Sequence, residues 1–139
     1  MASQADELRA RARRFATRVL KFVKTMPHDI ARDAVARQLA RSAPSVSANY
    51  HSAGRSRSHQ EFTSRLGIVA DEADETEGWL DHLKNAGLAS GAELDWLLNE
   101  SRELRAIFVQ AARTARLKDQ ASRDKTKSDA NQIKRRRQP

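Results

Sequence analysis

The 139-residue sequence contains no cysteine, only three prolines and five glycines. It has no apolar run approaching the roughly 18 residues that a membrane-spanning helix needs. The missing cysteine excludes disulfides and thiolate metal sites. The scarcity of proline and glycine argues against a strand-rich chain with many turns. The opening residues, M-A-S-Q-A-D-E-L-R, carry no apolar signal segment, so the expected location is the cytoplasm and no membrane partner is expected. What is present is 39% hydrophobic and 32% charged residues, enough for one helical domain with a real core.

A formal net charge of +8 points to an anionic partner, but the charge is unevenly placed. Residues 1–25 hold seven Lys/Arg against two Asp/Glu, and residues 113–139 hold ten against three. Residues 56–86 reverse the balance, with three against seven. The ends are basic and the middle is acidic, which excludes a uniformly basic nucleic-acid-binding domain.

Four apolar seams step through the chain by threes and fours, the repeat of helices packed in a bundle. The first is Leu8, Ala12, Phe15, Val19, Phe22 and Met26, ended by Pro27. The second is Val35, Leu39, Ser42, Val46, Asn49 and Ala53, with Gly54 as its stop. The third runs Phe62, Leu66, Val69, Ala73, Thr76, Leu80 and Leu83, opened by Ser56 or Ser58 and closed at Gly87. The fourth is Leu94, Leu97, Ser101, Leu104, Phe108, Ala111 and Ala115, with Ser90 and Glu93 spaced as a capping box. Short connections between them predict an all-α, antiparallel up-down-up-down four-helix bundle over residues 1–118. Pro44 interrupts the second seam without shifting its phase, so a kink is expected rather than a break. Beyond Leu117 the only large apolar residue is Ile133. Residues 119–139 are therefore expected to form a disordered basic tail after any helical continuation, since they bury too little to offset their ordering entropy.

Three segments carry a family resemblance: Q-L-A-R-S-A-P-S-V-S-A-N-Y at 38–50, G-R-S-R-S-H-Q-E-F at 54–62, and L-G-I-V-A-D-E-A-D-E-T-E-G-W-L at 66–80. In this order they resemble the 23S rRNA intervening-sequence protein family, over about residues 10 to 115. The chain is also similar to the accessory bundle of diversity-generating retroelements. The resemblance implies a left-handed four-helix bundle assembled as a homopentameric ring, with RNA or other nucleic acid as the suspected partner. Pro44 and the basic tail depart from the shared pattern.

The residue inventory argues against an enzyme. None of His28, His51, His59 or His82 follows a Glu by three residues, as a ferritin-like di-metal bundle requires. Asp71, Glu72, Asp74, Glu75 and Glu77 lie beside the third seam and read as a solvated or ion-paired face rather than a metal site. There is no phosphate loop and no nucleophile paired with a histidine, so no metal, cofactor or small-molecule substrate is expected.

Candidate nucleic-acid contacts are the stripe Arg11, Arg14, Arg18 and Lys21, the junction residues Arg41, Arg55 and Arg57, and the terminal cluster Lys134, Arg135, Arg136 and Arg137. The first stripe could equally pair with the acidic face of the third helix. With no aromatics among the terminal cations, any affinity there should be electrostatic rather than stacking. Ile68, Trp79, Trp96, Leu98 and Ile107 exceed what narrow seams need and suggest a wider core or a subunit interface. The expected function is a non-enzymatic oligomer that binds RNA. The alternative is a protein-interaction adaptor or an accessory subunit of a reverse-transcribing element.

Overall fold

A computed structural model describes residues 1–137 as four helices: α1 (Gln4–Thr25), α2 (Ile30–Ala53), α3 (His59–Asn85) and α4 (Ala92–Arg136). No strand occurs among the described residues. Each helix packs on its chain neighbours, and α1 closes the ring against α4, whereas the diagonal pairs α1/α3 and α2/α4 have no close backbone approach. This is the expected antiparallel bundle.

Local chemistry sets most of the boundaries. Ser3 accepts from the Asp6 N–H while the Asp6 carboxylate reaches back to the Ser3 N–H, a capping box in which Asp replaces the usual Glu. Asp29 caps α2 by accepting from Arg32, and Ser58 caps α3 by accepting from Glu61. At the end of α3, the Leu88 N–H donates to the Leu83 carbonyl at 2.9 Å and the Gly87 N–H to Lys84 at 3.1 Å. Gly87 has φ +66°, the left-handed geometry this Schellman turn requires and a side chain would resist. Leu88 packs back on the core. The expected cap of α4 at Ser90 does not form. Gly91, at φ 110°, occupies the cap position with no side-chain hydrogen bond, because the turn that exits Gly87 places Ser90 one residue too early.

The seams form the core. Phe15, Val19, Leu39, Val46, Leu66, Val69, Leu80, Leu97, Leu104 and Phe108 are essentially fully buried. Leu98 and Ala112 join them from outside the fourth seam. The buried polar residues in the seams are Ser42, Thr76 and Ser101, and all three are satisfied. The Ser42 and Thr76 hydroxyls hydrogen-bond across α2 and α3 at 2.9 Å, Thr76 also lies 2.7 Å from the Glu72 carbonyl, and Ser101 donates to Leu98. The small, polar stretch around Pro44 thus serves close packing of α2 on α3. Helix α2 passes through Pro44 unbroken.

A second expectation is corrected. Residues 119–136, anticipated as a disordered tail, continue α4 as helix, while Gln138 and Pro139 lie outside the described residues. From Ala92 to Arg136 there is no glycine or proline, and Ala, Lys, Arg and Gln are frequent in the extension. A helix already nucleated by the bundle needs only propagation, which is far less costly than starting one. Gln120 donates to Asp124, Thr126 donates to the Ser122 carbonyl, and the terminal cations favour the negative end of the helix dipole. Every residue from Gln120 to Arg137 is exposed, so the extension projects roughly 27 Å beyond residue 118 with no packing partner.

Leu66→Ala or Leu104→Ala should each cost about 2–5 kcal/mol. Pro44→Ala should be neutral or stabilising, because it restores a backbone donor to a continuous helix. Thermal and denaturant melts read both. Acid should weaken the caps in a defined direction. The Asp6 carboxyl is held below its ordinary value by the Ser3 hydroxyl and N–H together with Arg9, and that of Asp29 by the Arg32 N–H and guanidinium. Both folded-state values are lowered, so their stabilisation is complete above the ordinary Asp range and lost as pH falls through the lowered values. A melting-temperature series from neutral to strongly acidic pH should show Asp29→Ala destabilising at pH 7 and converging on the native protein at the acid end.

Candidate nucleic-acid interface

The basic stripe of α1 is divided. Arg18 forms a two-pronged pair with Glu93, at 3.0 and 2.7 Å, and its guanidinium lies 3.4 Å above the Trp96 ring. This pair holds the Glu93 carboxyl below its ordinary value. Arg11 bridges Glu100 at 2.5 Å and Glu103, so both of these arginines tie α1 to α4. The partner helix is α4, not the acidic α3. Arg14 and Lys21, the other two members, make no ion pair among the described residues and face solvent beside Arg13 and Lys24.

The acidic face of α3 is neutralised from both sides. Arg41 of α2 pairs with Glu72, 3.1 Å away, and with Glu75, whose carboxyl it lowers with help from the Trp79 indole N–H. From α4, Arg102 reaches Asp81 at 3.1 Å and Glu77 at 3.7 Å, and Arg105 reaches Asp74 at 2.6 Å. The described residues contain no cluster of three or more potential metal ligands. Arg41 is therefore a bundle contact rather than a free phosphate contact. Trp79 packs against the core and Leu98 is buried, which accounts for part of the surplus apolar residues, whereas Ile68 stays exposed.

Several of the cations left unpaired lie at the end of the bundle where α2 turns into α3 and α4 departs. Arg55 and Arg57 sit in that turn. The Arg57 N–H donates to Glu61 at 3.0 Å, and Glu61 also takes Arg65, which leaves the Arg57 side chain free. His59, the first residue of α3, fastens the turn to α4: its Nε2 lies 3.3 Å from the Ala115 carbonyl and 3.2 Å from the Asp119 carboxylate. Beside this latch, a groove of about 370 Å³ runs between α3 and α4, lined by Gln60, Thr63, Ser64, Arg116, Asp119 and Arg123 among others.

Arg116 was not among the residues singled out from the sequence, whereas Arg123 belongs to its basic tail. With Lys127, Lys134 and Arg137 they fall at steps of seven, four, seven and three, which places all five on one face of α4. The spacing is visible in the sequence, but it has no meaning for a disordered tail. Lys134, Arg135, Arg136 and Arg137 stand exposed at the far end without ion pairs, Lys134 and Arg137 on this face and Arg135 and Arg136 on others. No helix among the described residues is long and apolar enough to cross a membrane.

Comparison with known proteins places this geometry. No curated protein matches the chain. A crystal structure of a protein of unknown function from the S23 ribosomal protein family of Bacteroides thetaiotaomicron superposes with a TM-score of 0.72 at 23% identity, covering 80% of this chain and 99% of that one. At that identity the likeness speaks for the fold. The family model for the 23S rRNA-intervening sequence protein matches residues 6–110, which spans nearly all of the bundle's packed core but not the projecting arm. The chain belongs to the 23S rRNA-intervening sequence protein family.

Proposed function

We propose that this chain is a non-enzymatic, cytoplasmic bundle protein that binds RNA or another nucleic acid through the basic end of the bundle and the projecting arm of α4. One observation carries the reading. Ion pairing within the chain neutralises Arg11, Arg18, Arg41, Arg102 and Arg105, while Arg55, Arg57, Arg116, Arg123, Lys127 and the terminal Lys134–Arg137 cluster remain unpaired around one end. Free cations at a regular spacing along a preformed helix suit a polymer of phosphates, whose counterions they release on binding. Arg14 and Lys21 form a second, separate basic surface.

The reading includes a homo-oligomer, with the pentamer implied by the family resemblance as the form to test. Leu20, Ile68 and Val109 expose apolar surface that the single bundle leaves uncovered. Several arms carried on one assembly would convert weak phosphate contacts into avid binding.

Electrophoretic shift and anisotropy titrations with single-stranded RNA at about 50 mM salt should show binding that weakens steeply as salt rises. Arg116→Ala with Arg123→Ala, or deletion of residues 119–139, should lower affinity and flatten the salt slope by about 0.7 for each phosphate no longer neutralised. Arg18→Ala should instead leave affinity nearly unchanged, with at most a small fall in thermal stability. Absence of any shift at low salt with both RNA and DNA would reject the nucleic-acid reading in favour of an adaptor. Light scattering on the purified protein should give about five times the 15.6 kDa chain mass, and a monomer would remove the oligomer from the proposal.

A further inference from the structure

The groove between the first turns of α3 and residues 116–123 of α4 contains more than positive charge. Between Arg116 and Arg123 stands Asp119, a carboxylate that a ligand made only of phosphates would avoid. Its side chain is 17% exposed, its Oδ1 lies 3.2 Å from the His59 Nε2, whose hydrogen-bond partner is the Ala115 carbonyl, and the carboxylate accepts no hydrogen bond among the described residues. The opposite wall adds a second acceptor: the Thr63 hydroxyl gives its one proton to the His59 carbonyl at 2.9 Å and can only accept from a ligand. The groove therefore alternates cations with acceptors that have room for a further donor. Seven residues separate Arg116 from Arg123, about 10.5 Å along the axis. That distance is about three steps of a stacked strand at 3.4 Å per nucleotide. Asp119 falls between the two cations.

We propose that this groove is a ribose-phosphate subsite in which Arg116 and Arg123 hold phosphates and Asp119 accepts a hydrogen bond from a ribose 2′-hydroxyl. It rests on the nucleic-acid reading above and makes that reading specific: the ligand is RNA, in single-stranded form. A deoxyribose backbone offers no sugar donor, so DNA leaves the Asp119 carboxylate desolvated against phosphates with nothing in return, whereas the 2′-hydroxyl is both donor and acceptor. The groove, about 370 Å³ between two helices, is of a size to receive one stretch of backbone. Gln60 and Ser64 line the same wall and can meet a ribose or a base edge.

The test compares labelled oligouridylate with its 2′-deoxy counterpart of equal length on the full chain, so that the base is constant and only the sugar differs. The ribose form should bind about tenfold tighter, the size of one hydrogen bond to a charged group. Asp119→Ala should bring the two affinities together by weakening the ribose form and strengthening the deoxy form. Asp119→Asn, which keeps a carbonyl acceptor in place, should retain a preference for ribose, and Arg116→Ala should weaken both oligonucleotides with the ratio intact. Circular dichroism melts establish that each variant is folded. Equal affinities for the two oligonucleotides on the intact protein would overturn the ribose subsite while leaving nucleic-acid binding standing, as would a ratio that survives Asp119→Ala in a folded protein. Binding of neither oligonucleotide would overturn the interface and the subsite together.

Discussion

Helix α4 has 45 residues, whereas α1, α2 and α3 have 22, 24 and 27, and that mismatch of length governs the rest of the molecule. Three shorter helices cover the apolar seam of α4 only as far as Ala115. Up to that point α4 lies between two neighbours, and burial of the Leu94, Leu97, Leu104 and Phe108 row fixes its register against α1 and α3. Past it, the helix buries no apolar residue and none of its neighbours continues. The bundle thus ends where the sequence changes from a 3.5-residue apolar repeat to a 3.5-residue basic one.

The same register determines which charges are available to a partner. Antiparallel packing sets Arg11 and Arg18 against Glu100 and Glu93, and sets Arg102 and Arg105 against Asp81 and Asp74, so cations within the packed region meet carboxylates one helix away. Exposed pairs of this kind add little stability individually. Their larger consequence is selective: they remove half of the α1 stripe from the set of free cations and leave the basic end of the bundle unopposed. Composition alone, with basic ends and an acidic middle, could not reveal this, because the pairs join residues 75 to 92 positions apart for α1 and α4.

Legibility in the sequence follows the range of the physics involved. The seams are readable because a heptad repeat is a local pattern, and each predicted position is buried or half-buried, including the polar Ser42, Thr76 and Ser101. Ser58 and Gly87 are readable because caps and left-handed turns depend on a few adjacent residues. Ser90 fails as a cap because the Schellman turn at Gly87 and the positive φ of Gly91 together decide where α4 starts, and neither signal is visible at Ser90 itself. The arm resembles a disordered segment in composition; what changes the outcome is attachment to a helix already formed, which removes the nucleation cost. Arg116, Asp119 and the His59 latch are hidden for a different reason. The latch is a contact between α3 and α4 across 56 to 60 residues of chain, and no spacing rule reaches that far.

A helical arm and a disordered tail of the same composition make different demands on a ligand. A disordered polybasic segment must lose conformational entropy on binding, and its cations have no fixed order, so it attracts any polyanion to a similar degree. Held as a helix, Arg116, Arg123, Lys127, Lys134 and Arg137 keep one face and fixed intervals, and the His59 contact with Ala115 and Asp119 sets the base of the arm against α3. Specificity can then arise at the base, where two helices of the bundle form walls, while the outer arm contributes only charge. Acceptors such as Asp119 and Thr63 are unfavourable in a purely electrostatic site and useful in one that must reject ligands lacking a donor. The division of the arm into a discriminating groove and a non-discriminating extension follows from where α3 begins, at His59, beside the point where α4 leaves the bundle.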